Sequence, residues 1–296
     1  MRAPRGGGWP FAAMLVAVAV LGLLAFAAAQ AQRLQGGVER FRGSFSGERK
    51  HCGSCGHRVS VRGVTPEGAP MLETPSFGSC AVVFPSGLLL NFSFGDEIDA
   101  HDAVFRMNRH FTGDYARYIG NKQTVRLVNS QHNGEKKESF LDFTRPEEVV
   151  FLRDWNSKMS RADWTRKSKF HVFETYEKVR RTHPGRPVFI LSRELMRAAL
   201  DCNQPFKRAG ATPTSGFLSL ILARQMCSKI TLYGAGCHSC GYFAPNGPNA
   251  TSTAFKASWH DTRGEMEAML YMTGLDKEEL VRRGKAEVDG CQTVTQ

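Results

Sequence analysis

Short apolar runs alternate with segments of helical periodicity from about residue 79 onwards. The runs "CAVVF", "AVFRM", "TVRLV", "EVVFL", "PVFIL" and "KITLY" have the length and composition of buried strands. They predict strands at 80–84, 103–107, 124–128, 148–152, 187–191 and 229–233, with helices at about 172–181, 193–201, 216–226 and 262–272. Strands that alternate with helices indicate an α/β fold, a mostly parallel sheet with helices on both faces.

In such sheets ligands bind beyond the carboxyl ends of the strands. A Gly- and Ser-containing loop, "PSGLLLNFSFG", follows the strand at 80–84, and Thr214-Ser215-Gly216 opens the apolar helix that precedes the last strand. The first N–H groups of a helix lack intrahelical acceptors and bind anions readily. The alternative is an ordinary N-cap on a buried helix.

The N-terminus predicts a membrane anchor. Residues 9–29 are almost wholly apolar, long enough to cross a bilayer, and follow Arg2 and Arg5. The alternative is a cleaved signal peptide, because "AAAQAQ" offers small residues to a peptidase. The predicted order is a cytoplasmic tail (1–8), a transmembrane signal anchor (9–29), a stem (30–75) and a lumenal catalytic domain (76–296).

A lumenal domain fits the modification signals. Asn91 and Asn249 begin sequons for N-glycosylation, although Asn91 is expected to be too enclosed for modification. The eight cysteines are an even number, which suits disulfides in an oxidising compartment. Two C-x-x-C pairs, Cys52/Cys55 and Cys237/Cys240, leave a four-cysteine zinc site as the alternative.

The net charge of +11 does not indicate nucleic-acid binding. Roughly half of it lies within residues 1–70, and no basic run is interleaved with aromatic residues.

Three segments resemble the sialylmotifs of the eukaryotic sialyltransferases, in the family's order. "CAVVFPSGLLLNFSFGDEIDAHDAVFRMN" resembles the large motif, "PTSGFLSLILARQMCSKITLYGAG" the small motif and "HDTRGE" the very small motif. The resemblance covers about residues 78–272. "DW" at 163–164 and "AFKASWHD" at 254–261 lean toward the β-galactoside α-2,3-sialyltransferase branch.

The resemblance implies a type II Golgi membrane protein with a Rossmann-like, GT-A-type domain in the lumen. Such an enzyme moves sialic acid from CMP-sialic acid to a glycan hydroxyl, with inversion and without a metal ion or other cofactor. The implied partners are the CMP-sugar donor, a glycan acceptor on a glycoprotein or glycolipid, and the membrane.

The very small motif implies that His260 is the general base, a role that suits histidine near neutral pH. Asp261 is expected to cap the helix that follows. Glu265 lies five positions on, about 140° around a regular helix. It can therefore assist His260 only if His260 lies outside the helix, or indirectly by holding the turn.

The other two motifs imply the remaining site residues. A disulfide joins the large and small motifs at Cys80 and Cys227, and the other six cysteines allow 15 pairings among which the sequence cannot choose. The implied nucleotide-binding residues are Ser86, Gly87, Asn108, Thr214, Ser215 and Gly216.

The acidic cluster in "GDEIDAHD" allows two interpretations. Its carboxylates and histidine could hold a divalent metal. The resemblance instead favours a helical link between two strands, with carboxylates that cap backbone N–H groups and favour a helix N-terminus.

Two departures from the family affect donor binding. Phe84-Pro85-Ser86 stands where Gly-Asn-Ser is usual, and Gly241 stands where a third motif would place a histidine. They support an alternative function: a catalytically weak or inactive binding protein, or a transferase for another CMP-activated keto sugar. The acceptor, the linkage and the oligomeric state are left open.

Overall fold

The structure is a computed structural model that describes part of the chain. The described residues are 55–56, 59–60, 73–110, 112–130, 139–153, 172–203, 212–237, 240–241 and 260–292. Within these ranges no helix is both long and apolar enough to cross a membrane. The anchor predicted at 9–29 and the sequon at Asn249 lie outside the described residues.

Seven described strands form one sheet in the order β5-β4-β3-β2-β1-β6-β7. The first six pair in parallel, and β7 pairs antiparallel with β6 at the edge. The mostly parallel α/β fold predicted from the apolar runs is therefore confirmed. The strands are β1 (Phe77–Val83), β2 (Ala103–Met107), β3 (Val125–Val128), β4 (Val149–Leu152), β5 (Val188–Ile190), β6 (Cys227–Tyr233) and β7 (Lys285–Asp289).

The four predicted helices are present with ends within one or two residues of expectation. The described chain contains three more helices, which are short and which the apolar pattern did not predict. It also contains 3₁₀ turns at 87–91, 113–115 and 140–142. The helices are α1 (Gly95–Asp99), α2 (Ala116–Ile119), α3 (Val172–Thr182), α4 (Arg193–Cys202), α5 (Ser215–Met226), α6 (Thr262–Thr273) and α7 (Lys277–Arg283).

Alternate strand residues point to opposite sides of the sheet. Both sets are buried, so both faces of the sheet are covered. Along β1, Cys80 and Val82 belong to the large core, while Ala81 and Val83 belong to a smaller one with residues of α1 and α2. Helix α5 packs on the large-core face against β1, β2 and β6, and it is buried along almost its whole length. This packing fixes where its N-terminus lies at the sheet edge.

The acidic cluster forms a helical link between β1 and β2, as the resemblance implies. Its carboxylates accept hydrogen bonds from other segments: Asp99 from the N–H groups of Asn121 and Lys122, and Asp102 from the N–H and hydroxyl of Ser79. The expectation that these carboxylates cap backbone N–H groups is confirmed, and Asp96 and Glu97 lie in the first turn of α1, whose N-cap Phe94 has no side-chain cap. The cluster thus ties α1 to neighbouring segments.

The disulfides decide between the two interpretations of the C-x-x-C pairs. Cys80 pairs with Cys227 as the resemblance implies, Cys55 pairs with Cys291, and Cys237 pairs with Cys240. The four-cysteine zinc site was therefore wrong, since Cys55 is linked to a cysteine outside that set. Cys202 is also disulfide-bonded.

Two further features differ from or add to the sequence analysis. Asn91 is exposed at the end of a 3₁₀ turn, so the expectation that it is enclosed was wrong. Two short pieces of the predicted stem touch the domain: Cys55 through its disulfide, and Ser60 through a bridge to Leu191 beside β5.

Candidate active site

The carboxyl edge of the sheet brings the predicted site residues to one side of the domain. Ser86 and Gly87 follow β1, Asn108 follows β2, and Thr214–Gly216 begin α5, which packs against both strands. As the first residues of a helix, Ser215 and Gly216 carry N–H groups without intrahelical acceptors. The edge therefore combines backbone donors with polar side chains.

Side-chain hydrogen bonds organise the start of α5, which we call the helix corner (Thr212–Gly216 with His260 and Glu265). Thr214 is the N-cap, and its hydroxyl accepts from the N–H of Phe217. The carboxyl group of Glu265 receives the Thr214 N–H at 2.6 Å and lies 2.6 Å from the Thr214 hydroxyl. Glu265 in α6 thus holds the cap of α5.

His260 lies just outside α6, and Asp261 caps that helix by accepting from the N–H of Gly264. The Nδ1 atom of His260 is 2.8 Å from the carbonyl oxygen of Thr212. Because a carbonyl can only accept, Nδ1 carries the proton, and in the neutral ring Nε2 keeps its lone pair. Glu265 bonds to Thr214 and His260 bonds to Thr212, so both side chains hold the segment 212–214.

The helix corner shifts the pKa of both groups. Burial lowers the pKa of His260 and the charge of Arg153 adds to this, while the hydrogen bond to Thr212 opposes them. Burial raises the pKa of Glu265 to about 8, against its two hydrogen bonds with Thr214 and the charge of Arg153. A neutral His260 in this tautomer can accept a proton at Nε2.

Arg153 is a member of this region that the sequence analysis missed. It follows β4 directly, is buried, and its Nη1 lies 3.5 Å from the hydroxyl of Ser215. Its charge acts on both His260 and Glu265. The available signal was its position, since it follows a strand as Asn108 does.

Asn108 adopts a left-handed backbone conformation with φ of 49°, which asparagine tolerates better than most residues. Its side-chain oxygen accepts from the N–H of Asn129, and its carbonyl accepts from Arg126 at 2.6 Å. Arg126 is itself held by a fully buried ion pair with Glu148 at 2.8 Å. The strand-end turn is therefore fixed from inside the sheet.

The loop after β1 is held mainly by backbone contacts, at what we call the loop corner (Ser86–Gly87 with Cys240–Gly241). The N–H of Gly87 donates to the carbonyl of Gly241 at 3.0 Å. A Cβ atom on Gly87 would lie 2.4 Å from the carbonyl oxygen of Cys240. Ser86 is buried, and its hydroxyl caps the 3₁₀ turn that follows. Only glycine fits at position 87.

The departure at Phe84 has a structural consequence. A Cβ atom on Gly216 would lie 2.7 Å from the ring of Phe84. The ring therefore packs directly on the first turn of α5, in the space that the absent side chain of Gly216 leaves. This contact joins the end of β1, two residues before Ser86, to the helix corner.

The sequence model of glycosyltransferase family 29 (sialyltransferase) matches residues 55–274, about three quarters of the chain. The chain belongs to this family. The matched range includes both corners and Asn108.

Curated relatives are similar to this chain over part of their length. The chain is 35% identical to beta-galactoside alpha-2,6-sialyltransferase 2 of Gallus gallus over 55% of this chain and 31% of that protein. It is 29% identical to the Xenopus tropicalis protein of the same name, over 74% of this chain and 44% of that protein. The chain thus spans less than half the length of these relatives.

A solved structure titled as that of a mammalian sialyltransferase is 22% identical to this chain. It covers 68% of this chain and 67% of its own, with a TM-score of 0.46.

Proposed function

We propose that this family 29 chain transfers sialic acid from CMP-sialic acid to a glycan hydroxyl, with His260 as the general base. The observation that carries the proposal is the bond between His260 Nδ1 and the carbonyl of Thr212. It fixes a tautomer whose Nε2 can remove the proton of an acceptor hydroxyl at the start of α5. The acceptor oxygen then attacks the anomeric carbon, and the carbon–oxygen bond to CMP breaks with inversion.

CMP leaves with negative charge on its phosphate. The N–H groups of Ser215 and Gly216 and the guanidinium group of Arg153 stabilise that charge, because helix N-termini and arginine both favour phosphate. Asn108, Ser86 and Gly87 bind the nucleotide beside them. Since these groups supply positive potential from the chain itself, we propose that transfer requires no metal ion or other cofactor.

The acceptor is a terminal β-galactoside. This part of the proposal rests on the names of the curated relatives, which act on β-galactosides and form an α-2,6 linkage. The motif details at 163–164 and 254–261 lean instead toward an α-2,3 linkage.

We further propose that the chain is a type II Golgi membrane protein with its catalytic domain in the lumen, as the apolar residues 9–29 predict.

The test uses the full chain, expressed in the secretory pathway of eukaryotic cells and purified in detergent. CMP release from CMP-sialic acid is measured with EDTA present, against acceptors that end in galactose or in N-acetylgalactosamine. We expect turnover with galactose acceptors, and product analysis by linkage-specific sialidases then distinguishes α-2,3 from α-2,6. CMP binding without turnover on any acceptor would contradict the proposal.

A second candidate function is binding of a CMP-sugar without efficient transfer. The observation that favours it is the ring of Phe84 on Gly216, together with Pro85, which removes a backbone donor from the loop after β1. Phe84→Gly combined with Pro85→Asn, the residues usual in the family, distinguishes the two. A gain in turnover of tenfold or more, on the order of 1.4 kcal/mol, would favour the weak-catalyst function.

A further inference from the structure

At Gly87, the loop that follows β6 touches the loop that follows β1 through backbone atoms. The carbonyl of Gly241 accepts the Gly87 N–H, and the carbonyl of Cys240 occupies the space that a side chain at position 87 would fill. The placement of Gly87 therefore depends on where Cys240 and Gly241 lie.

The first half of the β6 loop has anchors of its own, in addition to the close approach of Gly234 to Leu89 and Ser86. The N–H of Gly234 donates to the carbonyl of Gly284 at 2.8 Å, and Gly236, with φ of 99°, packs on the side chain of Leu280 in α7. This half is thereby fixed to α7 and the start of β7. It ends at Cys237.

The Cys237–Cys240 disulfide joins the anchored half to the half that contacts Gly87. The two cysteines are three positions apart, with Cα atoms separated by 5.4 Å. Two other described disulfides lie elsewhere: Cys227 begins β6 at the opposite edge of the sheet, and the N–H of Cys291 bonds to Arg224 near the C-terminus of α5. In the described chain, the C-x-x-C disulfide is the cross-link at the loop corner.

We propose that the Cys237–Cys240 disulfide is a positioning element for donor binding. It holds the carbonyls of Cys240 and Gly241 against Gly87 and so keeps the loop after β1 in the conformation that receives CMP. This proposal rests on the proposed function, because the proposed function assigns the Ser86–Gly87 loop to nucleotide binding. It also makes donor affinity sensitive to reduction of this one disulfide.

The test compares two disulfide deletions in the full chain. Cys237→Ser with Cys240→Ser removes the loop-corner disulfide, and Cys55→Ser with Cys291→Ser is the matched control. CMP affinity is measured by calorimetry, Tm by thermal unfolding, and donor KM and kcat by turnover. We expect the loop variant to weaken CMP binding and raise donor KM about tenfold or more, with little change in kcat, because lost preorganisation lowers affinity. The control variant lowers Tm but keeps CMP affinity within about twofold.

A second variant keeps the proposal testable if the first does not fold. Gly87→Ala leaves every disulfide intact but places a methyl group on the carbonyl of Cys240, and it should weaken CMP binding to a similar extent. Unchanged CMP affinity in the loop variant, or an equal loss in the control variant, would overturn the proposal. A wild-type chain that binds CMP without turnover would contradict the transferase function while leaving this test valid. A wild-type chain that does not bind CMP would overturn both.

Discussion

The helix corner and the loop corner lie at the same sheet edge but are built by different means. At the helix corner, side chains make the contacts: Glu265 bonds to the N–H and hydroxyl of Thr214, and His260 to the carbonyl of Thr212. At the loop corner, the contact to Gly87 comes from backbone carbonyls. The difference teaches that substitutions of the side chains His260 and Glu265 should change proton transfer and pH dependence, whereas substitutions at the loop corner should change donor affinity.

The largest expected effect is at His260. His260→Ala should lower kcat roughly 10²- to 10⁴-fold, because it removes the group that accepts the proton of the acceptor hydroxyl. The measurement is CMP release at saturating donor and acceptor. His183→Ala changes an exposed histidine after α3 and should leave kcat unchanged. A kcat of His260→Ala within threefold of the wild-type value would show that the general base does not lie at this corner.

Glu265→Ala should destabilise the domain by about 2–4 kcal/mol, because it empties a buried site and leaves the N–H of Thr214 without its acceptor. Glu265→Gln keeps the shape and one oxygen acceptor, so it should lose much less. Denaturant unfolding of both variants measures the difference. Equal losses in the two variants would mean that the hydrogen bonds to Thr214 contribute little.

Arg153→Met should weaken binding of CMP by about 10- to 100-fold, which corresponds to the loss of a charge-assisted hydrogen bond of about 1.5–3 kcal/mol. Calorimetry with CMP measures it. Arg197→Met is the matched control, since Arg197 is exposed on α4. Unaltered CMP affinity in Arg153→Met would place this charge outside the donor site and assign it to the support of Ser215.

A pH series sharpens the comparison at Glu265. Burial raises the pKa of Glu265 to about 8. The folded state therefore holds a proton that the unfolded state releases near its ordinary pKa, so this stabilisation is complete at low pH and is lost as the pH rises to about 8. Relative to Glu265→Gln, the wild type should lose at most about 1.4 kcal/mol per pH unit in that interval. Denaturant unfolding at pH 5, 6.5 and 8 measures it, and a constant difference would contradict the raised pKa.

The sequence predicted the parts of the fold that apolar patterns specify. Each of the first six strands is a short apolar run, and Thr214 and Asp261 cap the helices that follow them. Strand β7 was missed because Ala286 and Val288 are its only buried positions, with charged residues between and on both sides of them. An edge strand of this kind resembles a loop in its composition.

The site was predictable where a side chain carries the chemistry. His260, Glu265 and Asn108 lie in recognisable motifs, but their contacts required the fold. Gly87 and Gly216 matter because they have no side chain. The carbonyl of Cys240 and the ring of Phe84 occupy the space that a side chain would need. The disulfide pairs could not be chosen from 15 possibilities, since proximity in the fold decides them.

The most direct test of the central claim is CMP binding measured by calorimetry on His260→Ala and Gly87→Ala under the same conditions. The division of roles between the two corners predicts that His260→Ala binds CMP as the wild type does, while Gly87→Ala binds at least about tenfold more weakly. Wild-type affinity in Gly87→Ala together with lost affinity in His260→Ala would contradict it.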